Sequence, residues 1–196
     1  MVETIHFHPR HLPHWEVKEG RYFVTIRSAD SLPRDAVLRL SEIAETLGAI
    51  APQSAQFAKL QRESFRTLEK YLDTGLGTCP FRQPAAARVV VDELIDMAEW
   101  HVAAPHFTIM PNHCHMMLVP DTRCRHSLSE IMKRIKGRSA KRLRQLLGGS
   151  GPIWQREWFD RWMRDDAEWE KCVTYIRNNP VKAGLVSAWP VHAWTK

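Results

Sequence analysis

Short strand-like segments alternate with long amphipathic segments of helical periodicity, and this pattern limits the folds that the chain can adopt. Residues 22–27 (YFVTIR) are β-branched and aromatic, which is typical of a strand, and residues 106–119 (HFTIMPNHCHMMLV) are strand-like on both sides of Pro111. Elsewhere, apolar residues recur at helical spacing. We predict helices at about 33–47, 55–72, 85–100, 127–147 and 166–179. Few strands among many helices predict an α+β domain with one small sheet.

Prolines mark two boundaries in this pattern. Because proline has no N–H to donate to a sheet ladder, either a bulge lies at Pro111 or a strand begins just after it. The last helix is expected to end before Pro180. Residues 151–166 are rich in aromatic residues and arginine and are not assigned. We interpret residues 1–196 as one domain, with 1–20 as an N-terminal arm, 127–147 as a basic helix and 166–179 as the helix that contains Tyr175.

The composition excludes several classes of protein. The 196 residues are 44% hydrophobic and 26% charged, which suits a chain with a buried core. No apolar run approaches the roughly 18–20 residues of a membrane span, and the N-terminal sequence does not resemble a signal peptide. The four cysteines (Cys79, Cys114, Cys124 and Cys172) form no CxxC pair, which favours reduced thiols. We therefore expect a cytoplasmic protein with no membrane partner.

Positive charge is concentrated in one segment. Residues 123–144 contain nine basic residues and one acid, a local charge of +8 in a chain whose net charge is +6. A basic helix of this kind suits a phosphate backbone or an anionic membrane surface, although a solvated helix face is the commoner outcome for a charge run. No lipidation signal or aromatic-rich apolar face supports the membrane.

A His-x-His pair lies in the most strand-like window of the chain. In a strand, residues i and i+2 project from the same face, so His113 and His115 can meet one ion while Cys114 points to the opposite side. Two histidines supply only half of a coordination shell. Taken alone, the pair is a weak metal signal, and ordinary half-buried histidines are the alternative.

The last predicted helix carries a second candidate pair. Tyr175 and Asn179 are i,i+4 neighbours at the edge of its apolar stripe, so both can face one point outside the helix. A tyrosine beside an apolar stripe is usually a core or boundary residue. The chain has only three tyrosines, however, and neither Tyr22 nor Tyr71 has polar or histidine companions at useful spacing.

Two motifs together resemble a known family. MPNHCHMMLVP, followed by WQREWFDRWMRDD and YIRNNPVKAGLV, resembles the REP-associated tyrosine transposases, relatives of the single-tyrosine HUH (IS200-like) transposases. The resemblance implies a ferredoxin-like fold with a central antiparallel sheet flanked by helices. It also implies that His113, His115 and Asn179 bind a divalent cation, Mg²⁺ or Mn²⁺, and that Tyr175 is the nucleophile. Since imidazole ligands are a poor match for Mg²⁺, Mn²⁺ is the better fit.

The same resemblance implies a substrate. The family acts on repetitive extragenic palindromes (REP), single-stranded DNA hairpins, and cleaves them through a 5′-phosphotyrosine. The expected DNA contacts come from Arg123, Arg125, Lys133, Arg134, Lys136, Arg138, Lys141, Arg142, Arg156 and Arg161, with Trp154 and Trp158 stacking on unpaired bases. We expect a monomer or homodimer associated with the nucleoid. A hydrolytic metallonuclease and a catalytically idle hairpin-binding protein remain as alternatives, and a covalent protein–DNA adduct would exclude both.

Overall fold

The computed structural model describes residues 4–9, 13–51 and 54–185. The strands are β1 (Thr4–Pro9), β2 (Pro13–Val17), β3 (Arg21–Arg27), β4 (Val102–Ala103), β5 (Phe107–Ile109), β6 (His113–Pro120) and β7 (Phe159–Met163). The helices are α1 (Arg34–Gly48), α2 (Ala55–Leu72), α3 (Pro84–Asp96), α4 (Leu128–Leu147) and α5 (Asp166–Lys182), with short 3₁₀ helices at Pro80–Arg82 and Met97–Trp100. Among the described residues, no helix is both long and apolar enough to cross a membrane.

A five-stranded antiparallel sheet forms the centre of the fold. Strands β6 and β3 lie side by side in it, β7 pairs with the outer edge of β3, and β4 and β5 both pair with the outer edge of β6. Strands β1 and β2 form a separate antiparallel pair. The predicted class, α+β with a central antiparallel sheet flanked by helices, is therefore confirmed.

The two faces of the sheet have different partners, because side chains alternate along a strand. On one face, Val24, Ile26 and Met116 belong to the larger core, which α3 and α4 complete. On the other face, Phe23 and Met117 pack with residues of α2 and α5. That second face carries the candidate functional site, described below.

Local signals explain where the helices begin. Ser127 caps α4 in a capping box with Glu130, as its position in the sequence predicts, and Ser54 and Asp165 cap α2 and α5. The end of α5 differs from our expectation, because the helix passes through Pro180 to Lys182. A proline this near the end removes one helical hydrogen bond only, and the next ones, from the N–H of Ala183 to Asn179 and of Leu185 to Pro180, are made.

Two segments contain strands that the sequence patterns do not reveal. The unassigned stretch 151–166 contains β7, whose aromatic residues do not alternate with polar ones. The segment interpreted as an N-terminal arm contains the β1–β2 hairpin, which is therefore a correction to that part of the interpretation. The irregular spacing of the histidines in this segment gave no strand period.

A buried ion pair joins the N-terminal hairpin to the central sheet. His14 on β2 is 2% exposed, contacts Asp160 on β7 through Nδ1 and stacks on the Trp158 ring with centroids 4.2 Å apart. Burial by itself would lower the pKa of His14, but attraction and hydrogen bonding by Asp160 and Glu157 outweigh it and raise the pKa to about 9. His14 is thus charged at neutral pH.

We expect the coupling between His14 and Asp160 to depend on pH. The pKa of His14 is about 6.5 in the unfolded chain and about 9 in the folded protein. The charged ring therefore gives its full stabilisation at pH values below about 6.5, and this stabilisation is lost as the pH rises through about 9. A double-mutant cycle with His14→Gln and Asp160→Asn, measured by urea unfolding, should give a coupling of about 2–3 kcal/mol at acidic to neutral pH.

The same cycle near pH 10 should give a much smaller coupling, because the ring is then neutral in both states. A coupling energy that is equal at the two pH values would contradict the charged pair.

Candidate active site

Strand β6 delivers two imidazoles to one point on the α2–α5 face. His113 and His115 are fully buried, and their Nε2 atoms lie 3.1 Å apart. Cys114 between them belongs to the core on the opposite face. Pro111 lies in the turn that joins β5 to β6, where the N–H of Met110 donates to His113 at 2.8 Å. The strand thus begins just after the proline, which was one of the two expected arrangements.

Hydrogen bonds at the other ring nitrogens fix how the two imidazoles point. The Nδ1–H of His113 donates to Oδ1 of Asn112 at 2.8 Å, so its Nε2 presents a lone pair to the site. Nδ1 of His115 lies 2.8 Å from Oγ1 of Thr25 on β3. Because a hydroxyl can donate or accept, Thr25 can support His115 with its Nε2 either protonated or bare.

Burial keeps both rings neutral. It lowers the pKa of His113 to about 3, and it lowers the pKa of His115 well below its ordinary value, with the neighbouring His113 adding to the effect. The neutral imidazole is the form that binds metal ions. The desolvated strand pair is therefore held in the ligand-competent protonation state.

Helix α5 brings Tyr175 and Asn179 to the same point. The Tyr175 hydroxyl lies 3.5 Å from Nε2 of His115, and the Asn179 side chain lies 3.4 Å from it. Nδ2 of Asn179 donates to the Tyr175 hydroxyl at 2.9 Å, while its Oδ1 is buried without a hydrogen bond. Edge-on contacts with Phe23 and Phe65 hold the tyrosine ring. The i,i+4 pair expected from the sequence thus meets the histidine pair.

The other two tyrosines lie away from this site. Tyr22 is buried on the opposite face of the sheet, and its hydroxyl donates to the backbone oxygen of Val17. Tyr71 donates to a carboxylate oxygen of Asp35 on the surface. Tyr175 is therefore the one tyrosine of the chain that lies beside the histidines.

Glu69 also reaches the site, and sequence reasoning missed it. This residue lies on α2, is 8% exposed and places Oε2 3.6 Å from Nε2 of His115. Burial and the nearby charge of Asp73 raise the pKa of Glu69 to about 8, with Lys182 and Asn179 opposing the rise. A signal was present, since Glu69 stands four residues after Phe65 and three before Leu72, on the apolar stripe of α2.

The side chains at this point fit a divalent cation. Two metal–ligand bonds of about 2.0–2.2 Å that meet at about 90–110° place the ligand atoms roughly 3.0–3.5 Å apart, close to the separations found here. Both oxygens of Glu69 and Oδ1 of Asn179 are buried without hydrogen-bond partners. In the described part of the chain, however, histidine, cysteine and acidic side chains form no metal cluster of three or more as they stand.

A basic cleft opens beside the tyrosine. Its volume is about 380 Å³, and Tyr175, Phe65 and Trp162 line part of it. The cationic side chains that line it belong to Arg62, Arg66, Arg161, Arg164 and Lys171. The guanidinium of Arg164 lies 5.6 Å from the Trp162 ring centroid, and Arg161 pairs with Glu168. Of these cations, only Arg161 was among the predicted DNA contacts.

The structure corrects the role expected for Trp154 and Trp158. They are only 6% and 8% exposed. Trp154 stacks on Phe81 and donates to Ser139 at 2.9 Å. Trp158 stacks on the His14 ring, and the ammonium of Lys136 lies 5.4 Å from its ring centroid. Since both indoles complete the core around α4, neither offers a free face to a base.

The structure also corrects the picture of α4 as an open basic helix. Its arginines Arg134, Arg138 and Arg142 form ion pairs with acids of α3 and the following 3₁₀ helix, namely Asp92, Glu93, Asp96 and Glu99. Lys136 donates to the backbone oxygen of Arg156, and burial lowers its pKa to about 8. Arg123 pairs with Asp121. Much of the positive charge is therefore neutralised within the fold.

Four of the predicted contacts remain open to solvent. Arg125, Lys133, Lys141 and Arg156 are exposed. Their side chains make no ion pair with any residue that the structure describes. These cations lie ahead of, along and just after α4. They are the members of the predicted set that can meet a phosphate without first breaking an internal pair.

Comparisons with known proteins agree with this arrangement. Residues 85–179 match the family described as "Transposase IS200 like", and this span contains His113, His115, Tyr175 and Asn179. The match confirms the resemblance to this family that the sequence indicates, over slightly less than half of the chain. No curated protein sequence matches the chain.

One solved structure shows the same fold at low sequence identity. A REP-associated tyrosine transposase bound to a REP hairpin is similar over 91% of this chain and 78% of its own, with 15% identity and a TM-score of 0.50. A more distant match is a protein from Deinococcus radiodurans R1 assigned as a transposase, which covers 81% of this chain and 89% of its own, with 13% identity and a TM-score of 0.39. The fold is thus that of a REP-associated tyrosine transposase.

We expect Arg138 and Arg142 to stabilise the fold. Replacing both with Gln leaves the carboxylate of Glu93, which is 1% exposed, without its two cations, and should lower the free energy of unfolding by roughly 3 kcal/mol. Urea denaturation measures this change. Lys141→Gln, on the same helix but exposed, is the matched control and should change it by less than about 0.5 kcal/mol. Equal effects of the two changes would contradict the ion-pair assignment.

Proposed function

We propose that this protein is a metal-dependent single-stranded DNA endonuclease and strand transferase that acts on REP-type hairpins through a 5′-phosphotyrosine. One observation carries the proposal. The Tyr175 hydroxyl, the Asn179 amide and the His113 imidazole lie within 3.5 Å of Nε2 of His115, and all four residues belong to the span that matches the transposase family. We further propose that residues 1–196 act as one domain, as a monomer or homodimer associated with the nucleoid in the cytoplasm.

Tyr175 is the proposed nucleophile. Its ring is fixed by Phe23 and Phe65, so the direction from which the hydroxyl attacks is set by packing. The Tyr175 hydroxyl gives up its proton to solvent as its oxygen bonds to phosphorus, the bond from phosphorus to the 3′-oxygen breaks, and the 3′-oxygen takes up one proton from solvent to leave as a hydroxyl. Because the phosphotyrosine conserves the ester energy, a later hydroxyl can reverse the step and join strands.

His113, His115 and Asn179 are the proposed holders of a divalent cation, Mg²⁺ or Mn²⁺. When bound, such an ion polarises the phosphate and offsets the negative charge that develops on it. Asn112 and Thr25 keep the two imidazoles pointed inward by hydrogen bonds at Nδ1. A half-turn of the Asn179 amide places Oδ1 where Nδ2 now stands, 3.4 Å from Nε2 of His115.

The cleft beside Tyr175 supports a single-stranded substrate. It combines cationic side chains with the aromatic rings of Phe65, Phe159 and Trp162, which suits a backbone with unpaired bases. Trp162 is only partly buried, and it takes over the stacking role that the buried Trp154 and Trp158 do not fill. The similar fold solved with a REP hairpin supports a hairpin with a single-stranded flank as the substrate.

The decisive experiment is a search for a covalent adduct with Tyr175→Phe. The wild type, incubated with Mn²⁺ and a palindromic hairpin with a single-stranded flank taken from its own genomic neighbourhood, should give a protein–DNA adduct on a denaturing gel. Removing the hydroxyl while keeping the ring should abolish the adduct and lower cleavage at least about 1,000-fold. Binding of the hairpin should persist, because the ring still packs against Phe23 and Phe65.

Tyr71→Phe is the matched control, since it removes a hydroxyl that bonds only Asp35, and it should cleave as the wild type does. The same DNA annealed to its full complement should resist cleavage. Cleavage by Tyr175→Phe without an adduct would point to a hydrolytic metallonuclease. Binding without any cleavage by the wild type would point to a hairpin-binding protein.

The exposed lysines of α4 should contribute to the salt dependence of binding. Replacing Lys133 and Lys141 with Gln should lower the slope of log K against log[salt] by roughly 0.7–0.9 for each phosphate that the protein no longer neutralises. Arg138→Gln is the control, because Arg138 is paired with Glu93 and Asp96 and should change the slope less. Filter binding of the hairpin at several salt concentrations measures both. An unchanged slope in the double lysine variant would mean that these side chains are only solvated.

A further inference from the structure

We infer that the carboxylate of Glu69 is a further ligand of the divalent cation held by His113 and His115, an inference that rests on the proposed function. Glu69 lies on α2, before the span 85–179 that matches the transposase family. The family resemblance therefore assigns it no role. Glu69 reaches the site because α2 packs on the same face of the sheet as α5.

The first argument is that Glu69 lacks a partner. Both of its carboxylate oxygens are buried, and although the Asn179 amide lies near enough to favour their charged form, neither oxygen has a hydrogen bond of normal geometry. The ammonium of Lys182 is engaged by Asp73 at 2.5 Å. Burying a carboxyl group without hydrogen bonds destabilises a protein, so an unpartnered one that persists beside two imidazoles indicates a missing partner such as an ion.

The second argument is geometric. Oε2 of Glu69 is 3.6 Å from Nε2 of His115, and the two Nε2 atoms are 3.1 Å apart. These separations are close to those of atoms that share one metal ion, about 3.0–3.5 Å. Glu69 approaches from α2, Asn179 from α5 and His113 from the sheet, and each brings a side-chain atom within 3.6 Å of Nε2 of His115.

A carboxylate also changes which ion the site prefers. Two imidazoles and an amide favour transition metals such as Zn²⁺, whereas a hard anionic oxygen raises the affinity for Mn²⁺ and Mg²⁺. Two histidines with one carboxylate leave positions open for phosphate oxygens. Glu69 thus removes the mismatch between a histidine pair and the cations expected for phosphodiester chemistry.

The test is Mn²⁺ binding to DNA-free, chelator-stripped protein by isothermal titration calorimetry. Glu69→Gln keeps the shape of the side chain but removes its charge, and should weaken Mn²⁺ binding at least about 10-fold. Asp73→Asn is the matched control, because it removes a negative charge one turn away without removing an oxygen from the site, and its effect should be far smaller. His113→Ala shows whether the measured site is the histidine site.

The outcomes separate this inference from the proposed function. Glu69 is not a ligand if Glu69→Gln binds Mn²⁺ as tightly as the wild type does, or at least as tightly as Asp73→Asn does. If His113→Ala abolishes Mn²⁺ binding in the same experiment, the proposed function stands. If the wild type itself binds no Mn²⁺, both are overturned.

Should Glu69→Gln fail to fold, the wild type alone decides the question. Anomalous density in a Mn²⁺-bound crystal should place a Glu69 oxygen about 2.0–2.3 Å from the ion. A bound ion with Glu69 outside that distance would overturn the inference.

Discussion

The register between β3 and β6 is the constraint on which the site depends. Thr25 lies opposite His115 in this antiparallel pair, and its hydroxyl supports the imidazole from the neighbouring strand. Because side chains alternate along a strand, a slip of one residue would turn both histidines into the larger core and bring Cys114 to the site. The apolar residues Val24, Ile26 and Met116 oppose such a slip, since it would move them off the core that α3 and α4 complete.

The site is polar, buried and incompletely satisfied, and that combination has a cost. Two neutral imidazoles face each other at 3.1 Å, and the oxygens of Glu69 and Asn179 have no hydrogen-bond partner. The well-packed rings of Phe23 and Phe65 hold the surrounding elements in place despite this cost. Unsatisfied oxygens that lie beside two buried imidazoles are typical of a functional site that binds an ion or a substrate.

Periodicity predicted the parts of the site that lie on a regular element. The His113–His115 pair follows from the period of a strand, and the Tyr175–Asn179 pair follows from the period of a helix, so each could be placed on a face before the fold was known. Glu69 could not be assigned, because only the packing of α2 on the sheet brings it to the imidazoles. The burial of Trp154 depends in the same way on Phe81 and Ser139, which are distant in sequence.

The distribution of internal ion pairs also decides which cations the proposed DNA substrate would reach most easily. A phosphate that takes Arg142 or Arg138 away from Glu93 leaves a carboxylate that is 1% exposed without its cation, so the new contact must first offset that loss. Arg62 and Arg66 line the cleft beside Tyr175, are exposed and form no ion pair with the residues described. A phosphate that contacts these arginines would break no internal pair, and it would lie in the cleft that Tyr175 also lines. The distribution of charge along the sequence therefore overstates the part that α4 would take in binding DNA and understates the part of α2.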